Sequence, residues 1–152
     1  MTDDTGYSQV GDHQHLVSNG KRVMTLDELA QMQPGMARLM PEISERMWKC
    51  FHAARALNAP LARFQLSEAT KLLKLSAFVR PKYDEDMADF LTAEIEPLRQ
   101  AIADNDWDAF ESRFASMTDS ANRYHGRWNK GYLVWKVPTE PPQDLDLTPL
   151  PE

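Results

Sequence analysis

Cysteine is almost absent from this chain. Cys50 is the single cysteine among 152 residues, so no disulfide framework can form within one chain, and the disulfide-stapled class of small secreted proteins is excluded. Its neighbours Ile43, Met47, Phe51 and Ala54 are all apolar. This setting predicts a small core residue rather than a nucleophile.

Positive charge and long apolar runs are scarce as well. The net charge is −6, which argues against nucleic acid as a main partner because phosphate binding needs a basic surface. No basic amphipathic helix indicates binding to an anionic membrane, and no apolar run approaches transmembrane length. The polar, acidic N-terminus has neither the basic nor the apolar region of a signal peptide. We therefore expect a cytoplasmic protein without a nucleic-acid or membrane partner.

Several motifs of catalysis and cofactor binding are also missing. The sequence has no phosphate-binding loop, no dinucleotide-binding glycine pattern and no G-x-S-x-G nucleophile motif. It also lacks the Glu-x-x-His pairs of ferritin-like di-iron proteins. We therefore expect neither a metal nor a cofactor, and any reaction must be carried out by ionisable side chains.

Helical periodicity is what the chain has in abundance. Thr25 and Glu28 form a capping box that predicts a helix start, while Pro34 and Pro41 predict a broken first segment that ends near Leu39. Firm helices are predicted over about 41–57, 60–79, 84–103 and 106–127. Pro97 predicts a kink within the third of them.

The length and the helix pattern together predict one domain. Residues 1–24 lack periodicity and are expected to form a non-helical tail. Residues 25–130 are expected to form an all-α, antiparallel four-helix bundle, because four amphipathic helices with short connections are typical of that architecture. Residues 131–152 are rich in proline, which predicts an extended tail that packs on the bundle.

Several polar residues fall on apolar faces of these helices. Gln65 and Glu68 lie within the apolar sector of helix 60–79, where an ionised carboxylate needs a partner or takes up a proton. Glu94 repeats this anomaly on the next helix, and Tyr124 and His125 lie on the inner side of the last one. The five side chains together predict a ligand or catalytic site inside the bundle.

A structural role is the alternative for each of these residues. Glu68 can pair with Arg80 or Lys82, and Tyr124 and His125 can be satisfied residues of the core.

The other histidines are weaker candidates. His13 and His15 form an H-x-H pair in the N-terminal tail, where a solvated tail is favoured over metal binding. His52 shares the outer face of its helix with Glu45 and Lys49, which predicts a solvent-exposed or interface position.

The stretch ANRYHGRWNKGYLVWKVPTEPP resembles the end of the small four-helix c-type cytochromes related to cytochrome c′. In those proteins a C-x-x-C-H motif attaches haem and an apolar extended segment with prolines follows. Other segments resemble a haem-free bacterial branch of this group: MARLMPEISERMWKCFHAARALNAPLARFQL, LLKLSAFVRPKY and DNDWDAFESRF. The resemblance covers about residues 36–149 and implies the four-helix fold.

The resemblance carries over only one functional residue, His125, which matches the histidine that ligates the haem iron. Ala121 and Tyr124 stand in place of the two cysteines, so covalent haem is excluded. The implied pocket is an emptied apolar slot that suits a planar aromatic molecule. His125 and Tyr124 are expected at its rim, and the expected walls are Trp128, Tyr132 and Trp135.

Three functions are compatible with these residues. The first is a cofactor-independent lyase or isomerase that uses acid/base chemistry on a small aromatic or phenolic compound; a retro-aldol elimination that releases a small aldehyde fits the same groups. Its predicted catalytic residues are His125, Tyr124, Glu68 and Glu94. Its further predicted ligand-binding residues are Gln65, Arg80 and Lys82. The second function is non-enzymatic binding of haem or another small hydrophobic ligand, and the third is an interaction protein whose bundle dimerises.

Helix 60–79 has two adjoining apolar arcs. The first arc contains Leu61, Phe64, Leu72, Leu75 and Val79, and the second contains Ala62, Leu66, Ala69, Leu73 and Ala77. This pattern predicts a helix that is buried on most sides. Together with the cytochrome c′ resemblance, it predicts a homodimer.

Overall fold

The computed structural model of the protein describes residues 16–149 and is mostly helical, with one small two-stranded sheet. The chain forms two compact units, Met1–Gln33 and Pro34–Glu152. The predicted pair His13 and His15 lies outside the described residues. Within the described part of the chain, no helix is both long and apolar enough to cross a membrane.

The first unit contains a β-hairpin that the sequence analysis did not predict. Strand β1 (Leu16–Ser18) pairs antiparallel with β2 (Val23–Thr25). The Asn19 side-chain oxygen accepts backbone N–H groups of the turn at 3.1 and 3.0 Å, and Gly20 adopts a φ of +88°, which favours glycine. Residues 16–24 are non-helical, as expected, but the hairpin itself was not predicted, because strands of three residues are too short to show an alternating pattern.

Helix α1 (Leu26–Gln31) follows the hairpin, and its predicted capping box is confirmed. The Thr25 hydroxyl accepts the Glu28 N–H at 3.1 Å, and the Glu28 carboxylate accepts the Thr25 N–H at 2.9 Å. The helix ends at Gln31 and not near residue 39.

The second unit contains the remaining helices. They are α2 (Met36–Arg55), α3 (Ala59–Val79), α4 (Asp84–Phe90), α5 (Glu96–Ala103) and α6 (Trp107–Arg127). A short 3₁₀ helix (Pro81–Tyr83) follows α3. The predicted spans agree with these bounds within about two residues except at the start of α2.

Helix α2 begins five residues before its predicted start. Pro41 lies on the exposed side of its second turn, where the loss of one backbone N–H does not stop the helix. Met36, Leu39 and Ile43 continue a single apolar face across the proline, and the burial of that face outweighs the proline signal.

Pro97 is the second residue after a π-helical turn (Leu91–Ile95) that joins α4 to α5. Proline has no N–H, and its ring clashes with the carbonyl four residues earlier, which is that of Ala93. A π turn changes the backbone spacing at this point, so the helical path from Asp84 to Ala103 stays continuous. The structure thus has a π turn ahead of the proline at the place where the sequence predicted a kink.

The core of the second unit forms where the helices meet. Helix α2 packs along α3, α5 packs on α6, and further contacts join α3 to α5 and α2 to α6. The α3 residues buried in this core are those of its second arc: Ala62, Leu66, Ala69, Leu73 and Ala77. Small side chains allow a close approach, and the Cys50 thiol of α2 lies 3.3 Å from the Ala62 carbonyl oxygen of α3.

The first arc of α3 is largely outside the core. Phe64, Leu75 and Phe78 are exposed, and Leu61 and Leu72 are half-buried. The expectation that α3 is buried on most sides is therefore wrong for the single chain.

Residues 131–149 have no regular secondary structure and lie along the helices. The Trp48 indole N–H donates to the Glu140 carbonyl at 2.6 Å, and the Asn58 amide donates to the Leu147 carbonyl at 2.8 Å. These bonds hold the segment against α2 and the start of α3.

Candidate functional site

A cavity of about 250 Å³ lies in the second unit, between α2, α4, the end of α6 and the segment that follows α6. Its walls are predominantly apolar. The methionines that line it are Met36, Met40, Met47, Met87 and Met117. Methionine is flexible and polarisable and makes favourable contacts with aromatic rings, so these walls can adapt to a flat ligand.

Aromatic and polar side chains also line the cavity. The aromatic ones are Tyr83, Phe90, Tyr124, Trp128, Tyr132 and Trp135. The polar or charged ones are Asp86, His125 and Lys130. A cavity that combines apolar walls with a few polar groups is the usual form of a small-molecule site.

His125 is held in one orientation at this cavity. Its Nδ1 lies 2.8 Å from the Leu133 carbonyl oxygen. Because a carbonyl can only accept, Nδ1 carries the proton, and the Nε2 of the neutral ring is left with its lone pair. Trp135 packs edge-to-face against the imidazole at 5.7 Å. The ring is therefore positioned as a proton acceptor.

The end of α6 explains how Leu133 reaches His125. Asn129 adopts a left-handed φ of 57°, and its N–H donates to the Gly126 carbonyl while the Lys130 N–H donates to the His125 carbonyl. This is the Schellman ending of a helix, in which asparagine can replace glycine. It reverses the chain and brings the segment after α6 back across the last turn.

Asn122 fixes the same segment two residues further along. Its amide donates to the Trp135 carbonyl at 2.8 Å, and its side-chain oxygen accepts the Trp135 N–H at 2.8 Å. A single side chain thus satisfies both backbone groups of Trp135, which holds this wall of the cavity in place.

Tyr124 keeps its phenolic proton. Burial raises the pKa of Tyr124, and the nearby carboxylates of Asp86 and Asp89 raise it further. Its ring meets Phe90 edge-to-face at 5.9 Å. The phenol is therefore a hydrogen-bond or proton donor at neutral pH.

Asp86 is a site residue that the sequence analysis missed. Its carboxylate accepts the Trp128 indole N–H and an Arg127 guanidinium N–H, both at 2.7 Å. These bonds tie α4 to the end of α6 and orient Trp128 at the cavity. Asp86 lies four residues before the inward-facing Phe90, so helical spacing could have placed it on this face.

Lys82 flanks the cavity without lining it. Its ammonium group lies 5.0 Å from the Tyr83 ring centre and 5.8 Å from that of Trp128. These distances are within the range of cation–π contacts. Tyr83 itself, which sequence reasoning also missed, meets Trp128 edge-to-face at 4.6 Å.

The remaining predicted residues do not join the cavity. Gln65 is buried and accepts a hydrogen bond from Arg46 at 3.2 Å. Arg80 donates to the Val79 carbonyl at 2.7 Å. Glu94 is half-buried outside the lining.

Glu68 lies on the outward side of α3. It pairs with Lys71 at 2.6 Å, and this hydrogen bond holds the pKa of Glu68 below its usual range. Pairing with Arg80 or Lys82 is not observed. The predicted convergence of Gln65, Glu68 and Glu94 with Tyr124 and His125 is therefore wrong, because the alanine-rich arc of α3 packs on α2 and turns Glu68 away.

His52 is buried, with 5% of its surface exposed, so the predicted solvent-exposed position is wrong. The C-terminal segment lies on this face of α2, where Trp48, one turn earlier, binds Glu140. Within the described residues, His52 Nε2 has no hydrogen-bond partner. Burial, which is the main cause, and the charge of Arg55 lower the pKa of His52.

Cys50 behaves as the predicted core residue. It is fully buried, and burial raises the pKa of its thiol to about 12, which leaves it unreactive near neutral pH. Among residues 16–149 there is no group of three or more His, Cys, Asp or Glu side chains that could hold a metal ion.

Comparisons of the chain with protein-family models, with curated proteins and with solved structures find no match.

Proposed function

We propose that the cavity binds a small planar aromatic or phenolic compound, and that the protein acts on it as a cofactor-independent lyase or isomerase. His125 is the base and Tyr124 is the acid. The observation that carries this proposal is the hydrogen bond from His125 Nδ1 to the Leu133 carbonyl, which leaves Nε2 as the basic atom of a histidine that lines an apolar cavity.

The size of the cavity supports a ligand of one substituted ring or a small fused ring system. A dry apolar cavity of about 150 Å³ is sufficient for benzene, and this cavity has about 250 Å³. The extra room allows a side chain on the ring.

The two groups supply the two proton transfers that such a reaction needs. His125 can accept a proton from a carbon or from a hydroxyl group of the substrate, and Tyr124 can return one. In a retro-aldol elimination, the base takes the proton of a β-hydroxyl group, the Cα–Cβ bond breaks and an aldehyde leaves. The electron pair then rests on the ring-bearing fragment, which takes up a proton from the acid. Glu68 and Glu94 have no part in this scheme.

We also propose that α2, α3, the helical segment 84–103 and α6 form an antiparallel four-helix bundle descended from a cytochrome c′-like ancestor. The contacts of α2 with α3 and of α5 with α6 support this arrangement, as do the short connections between these helices. Ala121, Tyr124 and His125, which match the C-x-x-C-H positions, all line the cavity. This supports the interpretation of the cavity as a vacated haem pocket.

Non-enzymatic binding of haem or another hydrophobic ligand is the second candidate function. The five methionines of the cavity wall favour it, because adaptable thioether walls serve binding without chemistry.

A proton-exchange experiment tests the catalytic proposal without knowledge of the substrate. 4-Hydroxyacetophenone is incubated with the protein in D₂O, and the loss of its methyl hydrogens is followed by NMR. We expect faster exchange than in buffer, and we expect His125→Gln to abolish the acceleration. Glu68→Gln is the matched control and should exchange like the unmodified protein.

Binding is measured in the same samples from the broadening of the ligand signals. Binding without exchange would leave the second candidate function, and the absence of both binding and exchange would contradict the site itself. Equal exchange in His125→Gln would exclude His125 as the base.

A further inference from the structure

An apolar stripe with a charged centre runs along the outer face of α3. We call it the α3 seam, and its residues are Leu61, Phe64, Glu68, Lys71, Leu75 and Phe78. The exposed fractions of Phe64, Leu75 and Phe78 are 53%, 39% and 81%. Large apolar side chains aligned in this way on one helix mark an interaction surface rather than scattered surface residues.

The spacing of the α3 seam is that of a coiled coil. Its residues follow one another at steps of three, four, three, four and three, which are the a and d positions of a heptad repeat. The core of the second unit uses only the edge of this face: Leu61 is half-buried and packs against the core, whereas the second arc of α3 packs on α2. Phe64, Leu75 and Phe78 therefore form an exposed second face of the helix.

The α3 seam is complementary to itself when two copies run antiparallel. A two-fold axis that crosses the helix midway between Glu68 and Lys71 places Leu61 opposite Phe78 of the second copy. It also places Phe64 opposite Leu75. This is the a-to-d pairing of antiparallel coiled coils, and every apolar side chain of the seam meets an apolar one.

The two charged residues of the α3 seam are also complementary under this two-fold symmetry. The two-fold axis places Glu68 opposite Lys71 of the second copy, and Lys71 opposite Glu68. Within one chain these two side chains already form an ion pair at 2.6 Å. Two such pairs at the centre make a network of four alternating charges, whereas a shift by one heptad would set charged groups against apolar ones. The charged centre therefore fixes both orientation and register.

We propose that the α3 seam is a homodimer interface, in which two copies of α3 pack antiparallel about a two-fold axis between Glu68 and Lys71. The proposed occupant is a second copy of this chain, because each member of the seam finds its complement within the same six residues. This inference goes beyond the proposed function and does not depend on it. It also explains why Glu68 lies within an apolar arc.

Charge reversal and mixing test the proposal. Light scattering is expected to give twice the 17.4 kDa of the chain for the unmodified protein. Lys71→Glu and Glu68→Lys should each give the monomer mass, because each places four like charges at the centre. An equimolar mixture of the two variants should recover the dimer.

Arg63→Glu is the matched control. Arg63 is exposed on the same helix, but it occupies a c position away from the seam, so this variant should remain dimeric. A monomeric unmodified protein throughout a dilution series would overturn the proposal. A dimer that survives both single charge reversals would also overturn it, since the interface would then lie elsewhere.

Cysteine cross-linking tests the register. Phe64→Cys combined with Leu75→Cys should give a covalent dimer on mild oxidation. The two positions are about 16 Å apart on one helix, too far to bridge within a chain, and buried Cys50 does not compete. Each single variant should remain unlinked. Linking by the single variant Phe64→Cys would indicate parallel pairing and overturn the proposed geometry.

Discussion

At the scale of single residues, His125 and His52 show how neighbours give the same side chain two different roles. His125 donates from Nδ1 to the Leu133 carbonyl and presents its other nitrogen as an acceptor. His52 is buried with an Nε2 that has no hydrogen-bond partner among the described residues. The first histidine is suited to exchange protons, and the second is kept neutral at a cost to stability.

His125→Phe should separate function from stability. The variant loses one hydrogen bond to a backbone carbonyl, so we expect the free energy of unfolding to fall by about 1 kcal/mol. The acceleration of proton exchange should disappear completely. Urea unfolding and the D₂O experiment measure the two effects. A fall in stability of several kcal/mol would instead make His125 a core residue and weaken its proposed role as the base.

His52 should make the protein sensitive to mild acid. The pKa of folded His52 lies below its ordinary value of 6.5, so the unfolded chain takes up this proton first as the pH falls. Stability is therefore unaffected above about pH 6.5 and declines as the pH falls from there towards the lowered pKa. The total loss is about 1.4 kcal/mol for each pH unit by which the pKa of His52 in the folded protein lies below 6.5.

His52→Phe removes this titration and retains a ring against Phe51, which His52 meets edge-to-face at 5.3 Å. Urea unfolding at pH 7.5 and pH 5 should show a smaller loss of stability on acidification for the variant than for the unmodified protein. Identical losses in the two proteins would show that the protonation of His52 is not coupled to folding.

The residues of the site differ in how well sequence could find them. Tyr124, His125, Trp128, Tyr132 and Trp135 were predicted from one contiguous stretch, and all five line the cavity. The contribution of Asp86 depends on a bond to Trp128, 42 residues away, and no local pattern encodes such a partner.

At the scale of elements, periodicity located the helices, but it could not decide which face of α3 points inward. Both arcs of α3 are apolar, and only the packing of its alanines against α2 makes the second arc the core face. Glu68 was predicted to be buried for this reason. The same ambiguity does not arise for α6, whose single apolar face contains Phe110, Phe114 and Met117.

The caps of α3 and α6 allow a comparison at this scale. Asn58 accepts the Leu61 N–H at 3.1 Å and also donates to the Leu147 carbonyl at 2.8 Å. Among the described residues, the Asp106 side chain makes only its cap bond, to the Ala109 N–H at 3.0 Å. Asn58 thus caps α3 and also anchors the C-terminal segment.

Asn58→Ala should therefore destabilise the protein more than Asp106→Ala. We expect losses of about 2 and about 1 kcal/mol, since a cap contributes about 1 kcal/mol and a further hydrogen bond a similar amount. Chemical denaturation of both variants measures the difference. Equal losses would mean that the bond to Leu147 contributes nothing to stability.

At the scale of the whole molecule, the two apolar faces of α3 serve two different levels of structure. One face builds the core of a single chain, and the other is proposed to build the assembly. A cavity that is lined within one chain does not require the second copy, so the proposed catalysis and the proposed dimer can be tested independently.

Assembly through the α3 seam should make stability depend on protein concentration. Folded chains that associate are stabilised relative to the unfolded state by mass action, so the Tm of the unmodified protein should rise as its concentration is raised. Lys71→Glu removes association without touching the core, because Lys71 is exposed. Its Tm should therefore be independent of concentration, and it should lie slightly below that of the unmodified protein at high dilution, because the substitution also removes the Glu68–Lys71 ion pair within the chain and sets two like charges three residues apart. Differential scanning calorimetry over a dilution series measures both. A Tm that rises equally with concentration in the two proteins would show that the chains associate through another surface. A Tm that is independent of concentration in both proteins would show that the unmodified protein is a monomer.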